Sequence, residues 1–294
     1  MKMMESKNKL LKVPFPNGGT FLYGIIGNPV KHSASPYMQT QAFHALGINA
    51  IYVPFEVKKE NIKDAIKALK VLNVKGVNVT VPYKEEIIPY LDEIDRNAKI
   101  IGSVNTIKIE NEKAFGFNTD APGFILALKE EGISVKGKNI LILGAGGTSK
   151  ALSYILLKEG VNKIFVLNRT FEKAKKIENH LKSYGNIEAF ELSNENLKNF
   201  LPQVDIIINT TSLGLKKDDP PIFDYSLFSL NSNLVVVDVI YFETPFLRAA
   251  KKYNLKTVNG KGMLLYQGAL AFEIWTSKKA PIEVMRKALN EILK

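Results

Sequence analysis

The sequence predicts an α/β fold made of two domains. Apolar runs of strand length alternate with helix-like stretches along most of the chain, which is typical of βαβ units and parallel sheets. The 294 residues are about twice the ~150 expected for a single domain. A composition of 46% hydrophobic and 23% charged residues excludes a disordered or low-complexity chain.

The first half of the chain contains three strand-like runs followed by a strand pair. The runs are FLYGIIG (21–27), IYVPFEV (51–57) and GVNVTV (76–81), and the pair is VNTIKIE (104–110) and KAFGFNT (113–119). Helices are predicted from Pro36 to about Leu46, from about Glu60 to Leu72, and from about Lys84 to Leu91. In the second of these helices, Ile62, Ile66 and Leu69 are spaced to form one apolar face.

The second half of the chain alternates more regularly. The runs NILILG (139–144), KIFVLN (163–168), VDIIINT (204–210) and NLVVVDVI (233–240) are nearly all apolar, as strands are when both faces of a parallel sheet are covered. Helices are predicted up to about Glu159, over 171–183 and after Pro245, and a short strand is predicted at 256–258. From Gly262 onward the pattern predicts two more helices, one containing Trp275 and one starting near Pro281.

The predicted domain boundary falls near Pro122–Gly123, and the chain crosses back near Gly260–Gly262. We therefore expect an N-terminal arm (1–19), a first domain (20–122 and 262–294) and a second domain (123–261). The C-terminal helices then return to the first domain, which makes that domain discontinuous.

Residue usage excludes several classes of protein. The chain has no cysteine, which excludes a disulfide scaffold, a cysteine nucleophile and cysteine-held metal centres. The three histidines are scattered, so we expect no metal site. The net charge of +11 is spread along the chain, and only four of the 40 basic residues are arginine. We expect a lysine-rich surface and no nucleic-acid partner, although charges that are distant in sequence can converge in space.

No targeting signal or membrane-spanning segment is visible in the sequence. The first 19 residues lack the apolar core of a signal peptide, and no run approaches ~18 consecutive apolar residues. We expect a cytoplasmic protein without a membrane partner, present as a monomer or homodimer.

A glycine-rich turn gives the strongest indication of function. Gly144, Ala145, Gly146, Gly147, Thr148 and Ser149 follow the strand NILIL and precede a helix. Glycines allow a tight turn and let a phosphate approach backbone N–H groups, and the helix N-terminus favours an anion. Because strand, turn, helix and second strand follow in order, we interpret 123–261 as a Rossmann-type dinucleotide-binding domain. A glycine-rich turn with a purely steric role is the alternative.

The end of the next strand indicates which dinucleotide binds. An NAD site usually has an acidic residue there, which binds the ribose 2′-hydroxyl. This chain has Asn168, Arg169 and Thr170 instead, with Lys173 one turn later. Arg169 can pair with a 2′-phosphate, whereas an acid would repel it. The sequence therefore favours NADP, and a surface arginine without a ligand is the alternative.

Polar residues in the first domain form a second candidate site. Ser33 and Ser35 point the same way just before a helix, where a substrate carboxylate would be stabilised, but these residues taken alone favour Ser35 as the cap of that helix. Asn78 and Thr80 alternate along a buried strand, and Lys84 follows at its carboxyl end, where α/β sheets bind ligands.

Three further side chains could complete this site. A carboxylate at Asp120 near Lys84 would hold the amine in place for acid–base chemistry. Lys84 could instead be an ordinary solvated lysine, and Asp120 a helix cap. Asn105, in the segment GSVNT, adds another polar group.

Nine segments of the chain resemble the shikimate dehydrogenases, in the order that this family has them and over essentially the whole length after the arm. They are GNPVKHSASP (27–36), KGVNVTVPYKEE (75–86), IGSVNT (101–106), GFNTD (116–120), GAGGTSKA (144–151), NRT (168–170), NTTSLG (209–214), the D-x-x-Y-x-x-x-T-P-F-L run (238–247) and NGKGMLLYQGA (259–269). Each segment alone is weak evidence, whereas the ordered set is specific.

The resemblance implies a two-domain enzyme that reversibly reduces 3-dehydroshikimate to shikimate with NADPH, a step toward chorismate and the aromatic amino acids. It implies that Lys84 is the acid–base residue and is paired with Asp120. For the substrate it implies a carboxylate site at Ser33, Ser35 and Tyr241, and a set around the ring made of Thr80, Lys84, Asn105, Asp120 and Gln267. Asn78 is added to the predicted substrate-binding residues because of its place on the strand. For NADP(H) the resemblance implies the turn Gly144 to Ser149, then Asn168, Arg169, Thr170 and Lys173, with Thr210, Ser212, Ile240 and Gly260 near the cofactor.

Some residues depart from the family's usual pattern, and two alternative functions stay open. Gln39, Thr40 and Ile240 are unusual, which concerns substrate detail more than the reaction. One alternative is a quinate/shikimate dehydrogenase with broader substrate or NAD use, which Arg169 argues against. The other is a non-catalytic, ligand-sensing relative, which would be expected to have lost Lys84.

Overall fold

Two six-stranded sheets form the framework of the computed structural model, which describes residues 16–216 and 218–293. The first sheet contains β1 (Phe21–Gly27), β2 (Ala50–Glu56), β3 (Gly76–Val79), β4 (Glu93–Ile94), β5 (Thr106–Glu110) and β6 (Lys113–Phe117). Its order is β2-β1-β3-β5-β6-β4, with β1 parallel to β2 and β3, and β5 antiparallel to β3 and β6. The carboxyl ends of β1 and β3 therefore lie at the same edge of the sheet.

The second sheet is parallel throughout. It contains β7 (Asn139–Leu143), β8 (Lys163–Asn168), β9 (Ile187–Glu191), β10 (Ile206–Asn209), β11 (Val235–Asp238) and β12 (Lys256–Val258). The order β12-β11-β10-β7-β8-β9 is that of a doubly wound dinucleotide-binding sheet: successive strands are added on one side of β7 up to β9 and on the other side from β10 onward. Alternate residues of β7 enter separate apolar clusters on the two faces, so both faces are covered, as the apolar runs predict.

Ten helices are found in the described part of the chain. They are α1 (Ser35–Ala45), α2 (Ile62–Val71), α3 (Arg96–Ile101), α4 (Asp120–Glu130), α5 (Gly147–Lys158), α6 (Phe171–Leu181), α7 (Asn194–Phe200), α8 (Pro245–Lys252), α9 (Lys261–Thr276) and α10 (Ile282–Ile292). Within these residues, no helix is both long and apolar enough to cross a membrane.

The chain passes between the two sheets twice, through α4 and α9, and these two helices pack along each other. A Cβ at Gly123 in α4 would lie 2.6 Å from the backbone nitrogen of Gln267 in α9. A glycine is therefore required there for the close approach of the helices. The approach fixes where Gln267 lies.

The C-terminal helices pack against the first sheet, as the sequence predicts. Phe272, Trp275 and Leu289 share one apolar cluster with Tyr23 and Phe43 of β1 and α1. The Trp275 indole Nε1 donates to the carbonyl oxygen of Ile107 in β5 at 2.9 Å, which satisfies its only donor.

Three local predictions need correction or completion. The helix predicted from Lys84 to Leu91 is wrong: the segment is a series of turns ending in a short 3₁₀ turn, Ile88–Tyr90, because Pro89 lacks the N–H that a helix would use. Helices α3 and α7 and strands β4 and β9 are not predicted, since they are short and weakly patterned. Of the predicted arm 1–19, residues 1–15 lie outside the described residues, and Asn17–Thr20 form a turn before β1.

Candidate active site

A cavity of about 380 Å³ lies between the two sheets, at the carboxyl ends of β1 and β3. Its lining includes every residue predicted to bind the substrate: Ser33, Ser35, Asn78, Thr80, Lys84, Asn105, Asp120, Tyr241 and Gln267. It also includes Thr148 and Gly260 of the predicted cofactor set. The structure therefore brings residues from both halves of the chain around one space.

Lys84 and Asp120 form an ion pair on the wall of this cavity. Lys84 Nζ donates to Asp120 Oδ2 at 2.7 Å, and the two side chains are 27% and 13% exposed. Asp120 is the first residue of α4, and the side chain that accepts from the first turn of this helix is Asn118, whose Oδ1 accepts from the Ala121 backbone N–H at 3.1 Å. The structure therefore does not support the alternative that Asp120 is the cap. A partly buried ammonium group held by a carboxylate can deliver a proton to, or accept one from, a group bound beside it.

The N-terminus of α1 also borders the cavity. Ser35 is the first residue of α1 and caps nothing, while the Ser33 Oγ accepts a hydrogen bond from the Ser35 backbone N–H at 3.2 Å. Two hydroxyl groups thus lie at the positive end of an 11-residue helix dipole. This combination is suited to an anionic group such as a carboxylate.

Asn105 is held between the other polar residues of the cavity. Its Oδ1 accepts from the Thr119 backbone N–H at 2.7 Å, and its Nδ2 donates to Thr119 Oγ1 at 2.9 Å. The Nδ2 group also lies 3.5 Å from Gln267 Oε1. The amide of Asn105 therefore has one fixed orientation, which is the condition for distinguishing a donor from an acceptor on a ligand.

The glycine-rich turn links β7 to α5 beside the cavity. Gly144 has φ +105°, and a Cβ there would lie 2.8 Å from Thr210 Oγ1, so the turn needs glycine. A depression next to the turn is lined by Ala145, Gly146, Gly147 and Lys173 of the predicted set, and also by Glu85, Lys150, Lys176, Ile177 and His180. Ser149 is fully buried and does not line this depression.

The residues around this turn fit a phosphorylated dinucleotide. A Cβ at Gly146 would meet nothing within 4 Å, which leaves the backbone open to a ligand. Three lysines surround the space, and the N–H groups of the first turn of α5 have no partners within the helix. Sequence reasoning missed Lys150, Lys176 and His180. The spacing of Lys173 and Lys176 on one face of α6 was the available signal.

The remaining predicted cofactor residues lie at the carboxyl ends of the second sheet. Arg169 and Thr170 are exposed just after β8, where Asn168 Nδ2 donates to the Thr170 carbonyl oxygen at 2.9 Å. Thr210 Oγ1 donates to the Leu143 carbonyl oxygen at 2.7 Å, and Ser212 is exposed in the loop that follows.

The loop after β11 is fixed by a buried carboxylate. Asp238 accepts from the Ile240 backbone N–H at 3.0 Å and from Thr244 Oγ1 at 2.7 Å. Burial raises the pKa of Asp238, and these hydrogen bonds offset part of the rise. The loop carries Tyr241 into the cavity lining and leaves Ile240 buried beside it.

Comparison with known proteins identifies the family. Residues 25–107 match the shikimate dehydrogenase substrate-binding domain, residues 126–216 match the shikimate/quinate 5-dehydrogenase family, and residues 260–289 match the shikimate 5′-dehydrogenase C-terminal domain. The NADP(+) shikimate dehydrogenase of Aquifex aeolicus is 47% identical over 277 residues, which are 94% of this chain and 98% of that protein. The chain belongs to the shikimate dehydrogenase family.

Two more members of the shikimate dehydrogenase family extend the comparison. The NADP(+) shikimate dehydrogenase of Methanocaldococcus jannaschii is 47% identical over 93% of this chain and 97% of its own length. The crystal structure of shikimate 5-dehydrogenase from Thermus thermophilus in complex with NADP(H) and shikimate has a TM-score of 0.83 and 33% identity, covering 92% of this chain and 99% of that one. The fold of the family, with two α/β domains, is therefore the fold of this chain.

Proposed function

We propose that the protein catalyses the reversible reduction of 3-dehydroshikimate to shikimate with NADPH. The observation that carries this proposal is the Lys84–Asp120 pair, which lies in a cavity bordered by the N-terminus of α1 and by the glycine-rich turn. Membership of the family, whose relatives are NADP(+) shikimate dehydrogenases, supports the same reaction and cofactor.

In this proposal the substrate carboxylate binds at Ser33, Ser35 and Tyr241, where two hydroxyl groups and a helix N-terminus favour an anion. The ring hydroxyls bind the polar groups on the other walls. These are Thr80, Lys84, Asn105, Asp120 and Gln267. Binding of the carboxylate at Ser33, Ser35 and Tyr241 sets the orientation of the substrate ring in the cavity, so that the reacting carbon lies beside Lys84.

Lys84 carries the acid–base role. When bound, NADPH supplies the hydride, so the protein has to orient the substrate and handle one proton. The Lys84 ammonium group stabilises the negative charge that develops on the substrate carbonyl oxygen and then donates its proton to that oxygen. Asp120 keeps the amine in place at 2.7 Å, and in the reverse direction Lys84 accepts the hydroxyl proton.

We assign NADP(H) to the domain 123–261 and the substrate to the domain 20–122 and 262–294. The turn Gly144 to Ser149 would hold the pyrophosphate, and Asn168, Arg169, Thr170 and Lys173 would hold the phosphorylated adenosine. Thr210, Ser212, Ile240 and Gly260 complete the proposed cofactor set. The lysines of the depression, and the absence of an acidic residue at 168–170, support a phosphorylated ribose over an unphosphorylated one.

A spectrophotometric assay tests the proposal directly. Purified protein is incubated with shikimate or quinate and with NADP+ or NAD+, and formation of the reduced cofactor is followed. We expect the highest kcat/KM with shikimate and NADP+. Higher kcat/KM with quinate or NAD+ would show the broader dehydrogenase, and no turnover with any pair would show a non-catalytic relative.

A further inference from the structure

A buried tyrosine is connected to the substrate cavity without lining it. Tyr52 lies on β2, is 3% exposed, and donates its hydroxyl proton to Asn78 Oδ1 at 2.7 Å. Asn78 lies on β3, and β1 separates the two strands, so the tyrosine side chain reaches across β1. Burial raises the pKa of Tyr52 well above its ordinary value, and hydrogen bonding with Asn78 and Ser35 offsets only part of that rise, so the hydroxyl stays protonated and remains a donor.

The Asn78 side chain is fully committed to the protein. Its Nδ2 donates to the carbonyl oxygen of Asn105 at 3.1 Å and to Thr106 Oγ1 at 3.0 Å, while its Oδ1 accepts from Tyr52. Asn78 borders the cavity and is 4% exposed, but no hydrogen of its amide is left for a ligand. Its contribution to the site is therefore to hold Asn105.

The chain of hydrogen bonds ends at the Asn105 amide. Thr106 Oγ1 accepts from Asn78 and donates to Asn105 Oδ1 at 3.2 Å. Asn78 therefore holds the Asn105 backbone carbonyl directly and its side-chain oxygen through Thr106. Tyr52 fixes which end of the Asn78 amide faces Asn105: with Oδ1 satisfied by the tyrosine, Nδ2 must point to Asn105 and Thr106. Because a buried amide oxygen without a donor costs free energy, the orientation of the Asn78 amide depends on the Tyr52 hydroxyl.

We propose that Tyr52 is a positioning residue for Asn105 and, through Asn78, controls how tightly the cavity recognises a polyhydroxylated ring. This inference rests on the proposed function, because it assigns a substrate hydroxyl to Asn105. Tyr52 itself touches no substrate. Its effect is therefore expected on substrate binding and little on cofactor binding.

The neighbouring strand offers a matched control. Tyr23 on β1 is the register partner of Tyr52, is 5% exposed, and also has its pKa raised by burial, to about 12. Among the described residues, the Tyr23 hydroxyl has no hydrogen-bond partner, and Tyr23 lines a depression separate from the cavity. Tyr52 and Tyr23 are thus two buried tyrosines of one sheet, of which only Tyr52 is hydrogen-bonded to Asn78. Removing the hydroxyl from each in turn tests whether this connection matters.

The experiment compares Tyr52→Phe and Tyr23→Phe with the wild type. We expect the KM for shikimate, and its Kd by calorimetry, to rise about tenfold in Tyr52→Phe, the cost of one buried amide left without its donor. The KM for NADP+ should stay within about twofold, and Tyr23→Phe should leave both constants unchanged. A double-mutant cycle with Asn105→Ala adds a readout that a general loss of packing would not change: the effect of Tyr52→Phe on shikimate binding should largely disappear in that background.

Provided that the wild type oxidises shikimate, the proposed function stands, and three results would overturn the inference about Tyr52. These are an unchanged KM and Kd for shikimate in Tyr52→Phe, an equal loss in Tyr23→Phe, or an effect that persists in full without the Asn105 side chain. If Tyr52→Phe does not fold, Asn78→Ser breaks the same chain at its middle and is expected to raise the KM for shikimate in the same way. A normal KM in Asn78→Ser would then reject the inference, whereas failure of the wild type to oxidise shikimate would reject the proposed function instead.

Discussion

Lys84 Nζ and Asp120 Oδ2 lie 2.7 Å apart although 36 residues separate them. Lys84 follows β3 in a series of turns, and Asp120 is the first residue of α4, the helix through which the chain first passes from the first sheet to the second. The pair therefore joins the proposed acid–base group to the helix that connects the two sheets. A shift of α4 would change the position of the proposed proton carrier.

Removal of the Lys84 amine should lower turnover without removing the cofactor site. We expect Lys84→Ala to decrease kcat by about 10²-fold or more, the usual contribution of a positioned acid–base group. Steady-state kinetics with shikimate and NADP+ measures the change, and calorimetry with NADP+ is the control and should give a wild-type Kd. A nearly normal kcat would remove Lys84 from the acid–base role.

Neutralisation of Asp120 should have a smaller effect of the same kind. In Asp120→Asn the amide can still accept a hydrogen bond from Lys84, but the charge attraction that holds the ammonium group is lost. We expect kcat to fall about tenfold or more, yet less than in Lys84→Ala, with the KM for NADP+ unchanged. If kcat stays at the wild-type value, the pair is structural.

The Ser33 hydroxyl should contribute to substrate binding and not to the stability of α1. Loss of its hydroxyl removes a donor to a charged carboxylate, so we expect Ser33→Ala to raise the KM for shikimate about tenfold or more with little change in kcat. The melting temperature separates the alternatives. A lower Tm together with an unchanged KM would mean that Ser33 mainly supports the start of α1 through the Ser35 backbone N–H.

Arg169 should determine the choice between the two nicotinamide cofactors. We expect wild-type protein to have a lower KM for NADPH than for NADH, and Arg169→Ala to raise the KM for NADPH while changing that for NADH little. Arg248→Ala is the matched control, since Arg248 is also exposed in the same domain and donates to the Glu243 carbonyl oxygen. Equal constants for NADPH and NADH in the wild type would contradict the assignment of a 2′-phosphate site to Arg169.

Asp92 should make stability depend on pH in the acid range. Its Oδ2 accepts from the Ala114 backbone N–H at 2.6 Å and from Lys70 Nζ at 2.5 Å, and these bonds, the backbone bond first, lower the pKa of Asp92 below 3.8. Because the folded-state pKa is lower, this stabilisation is present above pH 3.8 and is lost as the pH falls through the folded-state pKa.

Asp92→Asn tests this dependence. Since the Asp92 side chain is 37% exposed, we expect the free energy of unfolding at neutral pH to fall by only about 0.5–1 kcal/mol. Urea titrations at several pH values should show the difference between wild type and variant shrinking in acid. Asp64→Asn, at an exposed position with no ion pair in the described part of the chain, is the control and should show no such trend.

The local pattern of apolar residues was enough to predict most strands of the second sheet and most of the helices that connect them. The runs that became β7, β8, β10 and β11 are apolar because both faces are covered, and that property is visible in consecutive residues. The segment 84–91 could not be predicted in the same way, since its backbone is held in turns by hydrogen bonds to Tyr83 and Val104, which lie outside the segment. Strand β9 was missed because IEAFE alternates too weakly to stand out from its polar neighbours.

By itself, the sequence determined which residue types are available for chemistry and the two-domain α/β fold. The glycine-rich turn, the run around Asn78 and Lys84, and the arginine at 169 are local features, and local features are readable from spacing. Only the tertiary structure decided which of them meet. The close packing of α4 on α9 at Gly123 brings Gln267 to Asn105, 162 residues away, and the crossing of β1 by Tyr52 connects a buried hydroxyl to the same amide. Such contacts depend on how separate elements pack, and no spacing along one segment encodes them.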